Sequence, residues 1–269
     1  MLYKRLFMSL SIAAVAVGIF TAGAATDTLP GGAINVGSAD YFTVLAKGDA
    51  GFTDNTITGP SFVIGNYGVG GQGTLSITGS SNIQGNLVMH GGGSPKLSGG
   101  AKITGSVTTN DPQLNAAFAD AQMLSDAAAL EAVTPAYASL TNVNGSMTIT
   151  GGPGEKVVLR LQDFKLNGGA TFTLQGTATT SFIINVTKSF ALTGNSQIVL
   201  SGVPPQNVLF NILGKGSQVA FSGKSGMSGI LLALNRKVDL SGGHVNGKVI
   251  ANQVVITSGG SVVTPTTNR

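Results

Sequence analysis

The chain has 269 residues, 40 of them glycine, with no cysteine and no tryptophan, a mean hydropathy of +0.30 and a formal net charge of +4. Only 10% of residues are charged. That is too apolar for a disordered chain, the glycines lack a collagen period, and the missing cysteines exclude a disulfide-stapled scaffold.

Residues 1–24 have the pattern of a secretory signal peptide: Lys4 and Arg5, an apolar run from Leu6 to Phe20, then Ala22-Gly23-Ala24 as cleavage site. Residues 25–269 are then expected to form one exported domain, secreted or at the cell surface, with no later membrane span. Charge is uneven along it: residues 25–132 are acidic on balance and 164–269 basic. The longest basic run is Arg236-Lys237 and there is no aromatic interleaving, so no nucleic-acid partner is expected.

From residue 75 onward one corner pattern recurs. "LSITGSSNIQGNLVM", "PKLSGGAKITGSVTT", "MTITGGPGEKVVLRL", "FKLNGGATFTLQGTA", "FALTGNSQIVLSGV", "VAFSGKSGMSGILLA" and "VDLSGGHVNGKVIA" each carry an alternating apolar stretch, a hydroxyl or amide residue, a glycine, and another apolar stretch. Alternation points every second side chain inward, and the glycine allows a corner that needs positive φ or a close backbone approach. The corner glycines are Gly79, Gly99, Gly151, Gly168, Gly194, Gly223 and Gly242. Strand-and-corner repeats cannot bury an apolar face singly but make a continuous core when stacked. The expected fold is all-β, a right-handed parallel β-helix with one α-helix packed alongside. End caps are expected around residues 27–60 and 257–269.

The helix is expected at about 111–132. Asp111 can cap it, Pro112 suits its first turn, and Leu114, Phe118, Ala121, Leu124 and Ala128 form one apolar stripe before Thr134-Pro135.

Candidate chemistry is thin. The acid pairs Asp49/Asp54 and Glu155/Asp163 could serve a glycosidase only if they converge. His90 and His244 are the only imidazoles, too few for a zinc site without carboxylates from afar. His244 lies near Asp239 and Lys248, yet the repeat sets it level with Ala101 and Ala170, so it is expected to be a solvated corner residue. No enzyme, cofactor or metal is expected. Thr148-x-Thr150, Thr171-x-Thr173 and Thr177-x-Thr179 place threonine pairs on a common strand face, which could order water through evenly spaced hydroxyls and methyls.

Asn207-Val208-Leu209-Phe210-Asn211, Gly229-Ile230-Leu231-Leu232-Ala233 and Gly247-Lys248-Val249-Ile250-Ala251, with the helix and the early "YFTVLAKGDAGFTDNTITG", resemble the choice-of-anchor A family of secreted bacterial proteins. That resemblance implies a β-helical surface or matrix protein without a catalytic centre. Leu234 departs from it where members have proline, and "VVTPTTNR" lacks a sorting motif. Phe42-Thr43-Val44-Leu45-Ala46, the inserted helix and the C-terminal coil are also similar to the bacterial ice-binding β-helix family. The leading expectation is a structural or adhesive matrix protein, with an extracellular polymer or surface protein as partner and self-association through an open edge. The alternatives are an ice-binding protein using a threonine-rich face, and a polysaccharide-binding or polysaccharide-cleaving protein.

Overall fold

A computed structural model describes residues 32–265. The expected signal peptide lies outside the described residues. Short parallel strands stack in register into a β-helix of three sheet faces, with one α-helix, Pro112–Leu130, alongside. This is the expected fold.

The helix starts as expected. The Asp111 carboxylate accepts from the Gln113 amide at 2.9 Å and Pro112 occupies the first turn. Leu114, Ala117, Ala121, Leu124 and Ala128 are buried against Leu45, Ile183, Leu209 and Leu232. Strands under the helix therefore have both sides covered: Val208–Ile212 is buried at every position, as expected of a sheet packed on two faces. A buried polar network fixes the docking. Asn211 Nδ2 donates to the Ser125 carbonyl and to Asn185 Oδ1, both at 2.9 Å. Ser125 Oγ returns a bond to Asn211 Oδ1 at 2.8 Å, and Asn185 Nδ2 donates to the Ala128 carbonyl at 2.7 Å. Every member is satisfied, so the network sets position along the sheet.

The other two faces alternate. On the second face, Val219, Phe221, Val238, Leu240, Val254 and Ile256 point inward, while Ala220, Ser222, Asp239, Ser241, Val255 and Thr257 point out. The interior is apolar and aromatic; Phe164 stacks on Phe190 with centroids 5.0 Å apart. The Tyr67 hydroxyl is fully buried there with no hydrogen-bond partner, and burial pushes its pKa up. Tyr67→Phe is expected to keep or raise stability, by about 1 kcal/mol, because it removes an unpaired buried polar group. Urea denaturation checks this, and a clear loss of stability would contradict it.

The rungs do not follow chain order. Strand Val44–Ala46 pairs on one side with Tyr67–Val69 and on the other with 249–251. Likewise, Phe62–Ile64 lies between Asn82–Gln84 and Ser261–Val263. The first coils thus grow from mid-stack to one end at Val107–Thr109. The helix carries the chain back along the covered face, and the remaining coils, from Asn142 on, wind toward the middle and dock on the first. Nine strands on the covered face span about 38 Å, and 19 helical residues cover about 28 Å of it. Residues 131–134 complete the span, and Thr134 N reaches the Val158 carbonyl at 3.0 Å.

This corrects the expected caps. Residues 42–64 and 257–263 sit in the middle, against each other. Thr264 and Thr43, from opposite ends of the chain, complete one corner through a hydroxyl–hydroxyl bond. At one true end, Tyr137 folds over the edge: its hydroxyl donates to the Thr150 carbonyl at 2.9 Å and accepts from the Thr150 amide at 3.0 Å. At the other end, Leu97 and Val107 stay 46% and 47% exposed.

One close approach sets a rung spacing. A Cβ on Gly247 would stand 1.8 Å from the Gly229 carbonyl oxygen, its partner in the next rung. Gly247→Ala is expected to cost about 3 kcal/mol, since backbone must move. A melting temperature equal to wild type would contradict this.

Candidate functional site

With the helix covering one face, the exposed repetitive surfaces are the second and third. On the second, the strand registers bring one outward column together. Thr78 pairs with Ser98, Ser241 with Thr257, and Ser222 with Ser241. Thr58 and Thr193 continue it, each one residue past the paired Ile57 and Leu192. In stack order the column reads Ser98, Thr78, Thr58, Thr257, Ser241, Ser222, Thr193, and Asn167 follows. Seven consecutive rungs carry a hydroxyl, spaced by the strand separation of about 4.8 Å. Beside it runs a column of mostly small side chains, among them Ser76, Thr56, Val255, Ala220 and Ala191.

The sequence marks each of these hydroxyls as the residue before a corner. At Gly79, Gly99, Gly168, Gly194, Gly223 and Gly242 the backbone is left-handed, with φ from 59° at Gly168 to 77° at Gly242. Ser258 takes the same conformation, φ 56°, after Thr257. A left-handed corner turns the chain just past the hydroxyl, so every rung ends its strand at the same place. Gly151 differs: it is not left-handed, and a Cβ there would meet Thr180 Cγ2 at 2.6 Å. Here close packing, not backbone handedness, calls for glycine.

Charges sit at few places on this face. Lys237 and Asp239 pair at 2.9 Å in mid-face, Lys165 and Asp163 at 3.1 Å toward one end, and Asp54 and Lys96 are exposed on strands toward the other. The Ser189 hydroxyl and Lys165 hold the Asp163 carboxyl below the usual carboxylate range.

The expected threonines divide. Thr148 and Thr173 are paired neighbours on the third face, Thr150 pairs with Gln175, and Thr171 with Gln197. Their columns do not continue as threonine: Thr173 is followed by Val199, and Asn246 pairs with Ser228 and Val263 further along. Thr177 and Thr179 are not on a strand face, which corrects that expectation. They lie in the turn after Thr171–Gln175, where Thr177 Oγ1 is 3.2 Å from both Thr179 Oγ1 and Thr180 Oγ1.

The titratable residues are engaged separately. Asp49 pairs with Lys47 at 2.8 Å, and Asp54 takes a bond from Thr74 at 3.4 Å. Glu155 accepts from the Gly152 amide at 2.6 Å. His90 lies between the Gly91 and Gly73 carbonyls at 2.9 and 3.0 Å. His244 is exposed with Nδ1 at 2.9 Å from Ser261 Oγ, while Lys248 points to Asp40, at 3.2 Å, on another corner. His244 is level with Gly226, and through Gln197 with Thr171, one place on from Ala170. Among the described residues no cluster of three His, Asp or Glu could hold a metal ion, and no helix is long and apolar enough to cross a membrane.

The family model of the ice-binding-like adhesive domain matches residues 18–263. Among solved structures, an ice-binding protein from the Antarctic ascomycete Antarctomyces psychrotrophicus aligns with TM-score 0.52 at 20% identity, over 86% of this chain and 98% of that one. A glycosylated ice-binding protein from Arctic yeast aligns with TM-score 0.56 at 18% identity, over 87% and 95%. An ice-binding protein from an Antarctic biological consortium aligns with TM-score 0.53 at 20% identity, over 88% and 93%. At such identities the structural likeness is one of fold. A search of the curated proteins returns no match. The matched family supports the second of the two resemblances seen in the sequence, and the choice-of-anchor A resemblance finds no support in it. The family match also corrects the leading functional expectation: an ice-binding-like domain family favours the ice-binding alternative over the structural or matrix role. The chain belongs to the ice-binding-like adhesive domain family.

Proposed function

We propose that this chain is an exported ice-binding protein that works without catalysis. Residues 1–24 are its signal peptide and 25–269 its one functional domain. Its ligand surface is the second face, and the observation that carries this is the seven-rung hydroxyl column from Ser98 to Thr193. Water next to a protein surface takes up the pattern of the groups that hold it. Hydroxyls repeating at one spacing, flanked by methyl groups that hold water weakly, favour an ordered layer continuous with a crystal. Flexible or charged groups would impose their own hydration instead. The parallel ladder fixes that spacing, and the interior packing keeps it rigid.

The placement of everything else agrees. The helix occupies a different face, and the corner of Thr43 and Thr264, where the first and last described coils meet, also lies off the hydroxyl column. The candidate acids are engaged by local partners: Asp49 by Lys47, Glu155 by the Gly152 amide and Asp163 by Lys165. Thr148, Thr150, Thr171 and Thr173 form a smaller patch on the third face that supports binding at most at its edge.

The test is thermal hysteresis and ice-recrystallisation inhibition with residues 25–269. Crystals shaped at micromolar protein and slowed recrystallisation are expected. Growth identical to that in an equal concentration of an unrelated protein would overturn the reading.

A further inference from the structure

Toward its ends the second face carries Lys96, Asp54 and the Lys165–Asp163 pair; one charged pair interrupts its middle. Mid-column, where Val255 and Ala220 flank it on either side, the outward residue is Asp239. Lys237, two residues earlier on the same strand and the same side, pairs with it at 2.9 Å. The two side chains are 29% and 20% exposed, so both are partly sunk in the face. Beside the pair lies an open hollow of about 370 Å³, lined by Asp239 and by Ser222, Ser241 and Thr257 of the hydroxyl column. The strand is otherwise regular, its thirteen residue pairs with the next rung interrupted only at 234–236. The charges are thus a choice of side chain on an unbroken scaffold.

We propose that the Lys237–Asp239 pair is the affinity-setting element of the ice-binding face: it holds ice affinity down and keeps two copies from stacking face to face. This rests on the ice-binding reading above. An ion pair orders water around its own field, out of step with the neighbouring hydroxyls. To join the ordered layer, that water must reorganise or the pair must lose hydration, and both oppose adsorption. The same property protects the middle of the face, where the adjoining rungs present the small uncharged side chains of Val255, Ala220, Ser241 and Thr257. Charged residues set into such surfaces block association. Pairing limits the disruption to one rung, because the two charges cancel at a distance.

The test compares four forms of residues 25–269, each first shown to keep its circular dichroism spectrum and melting temperature. Lys237→Thr with Asp239→Thr is expected to inhibit recrystallisation at a several-fold lower concentration than wild type, and to self-associate more in sedimentation. Lys237→Thr alone leaves a bare carboxylate and is expected to be weaker than wild type. The swapped pair, Lys237→Asp with Asp239→Lys, is expected to match wild type. A wild type that inhibits recrystallisation, with a double variant no better than it, would overturn this inference and leave the ice-binding reading standing. If neither wild type nor the double variant has activity, both fail.

Discussion

Arg236→Met is expected to destabilise the protein by about 4 kcal/mol and to lower its melting temperature by about 10 °C. Arg236 is 1% exposed and has no carboxylate partner among the described residues. All five of its N–H donors are instead used on backbone carbonyls. Nε donates to Gly214 at 3.0 Å, Nη1 to Ser217 at 3.2 Å and to Lys188, and Nη2 to Leu213 at 2.7 Å and Thr187 at 3.2 Å. Those carbonyls belong to two corners, one at 187–188 within strand Ser181–Leu192 and one in loop 213–217, that lie between the covered face and the second face. The pairing register breaks between Ala233 and Lys237, which turns Arg236 into the stack. Burial lowers the guanidinium pKa from its ordinary value. Methionine fills the volume but leaves the carbonyls unpaired in a low-dielectric site, a larger penalty than the lost bonds alone. Arg236→Lys, with fewer donors, is expected to fall between. Differential scanning calorimetry of the three proteins decides, and a methionine variant melting within 2 °C of wild type would contradict the account (about 1 kcal/mol at this size).

Thr257→Tyr combined with Ser241→Tyr is expected to raise the concentration needed for recrystallisation inhibition at least about tenfold, the factor that ~1.4 kcal/mol represents. The two residues are paired neighbours at the centre of the hydroxyl column. Two rings there lift the surface off any flat ligand, while the chain underneath is unchanged. Stability should shift by no more than about 0.5 kcal/mol, as is usual for outward positions. Thr148→Tyr with Thr173→Tyr is the matched control, also a paired neighbour couple but on the third face. It is expected to keep wild-type activity. The reverse outcome, loss on the third face and none on the second, would move the site to the threonines that the sequence singles out.

Much of the fold is legible in the chain, since the corner pattern is local. Strand alternation, the glycine that follows it and the Asp111-Pro112 helix start lie within a few residues of one another. The stacking order is not local. It depends on Val44–Ala46 finding 249–251, some 200 residues away, and nothing in a run of similar coils marks two of them as the meeting pair. For that reason the segments expected to cap the ends turn out to be the centre.

The site was hidden for the same reason. Thr78, Ser98, Thr193, Ser222 and Ser241 are all visible as the hydroxyl before a corner glycine, where such residues ordinarily serve turns. Only the rung order, 98, 78, 58, 257, 241, 222, 193, shows that they form one uninterrupted line. Threonine pairs such as Thr177-x-Thr179 stand out more in the sequence, yet a turn can separate them from any strand face.

The most direct test of an ice-binding second face is to grow a single ice crystal in a dilute solution of fluorescently labelled residues 25–269 and image it. Label incorporated on defined crystal planes by wild type and by the third-face variant, with the Thr257→Tyr/Ser241→Tyr crystal left dark, is the predicted result. A dark crystal with wild type, or equal labelling by the second-face variant, would contradict it.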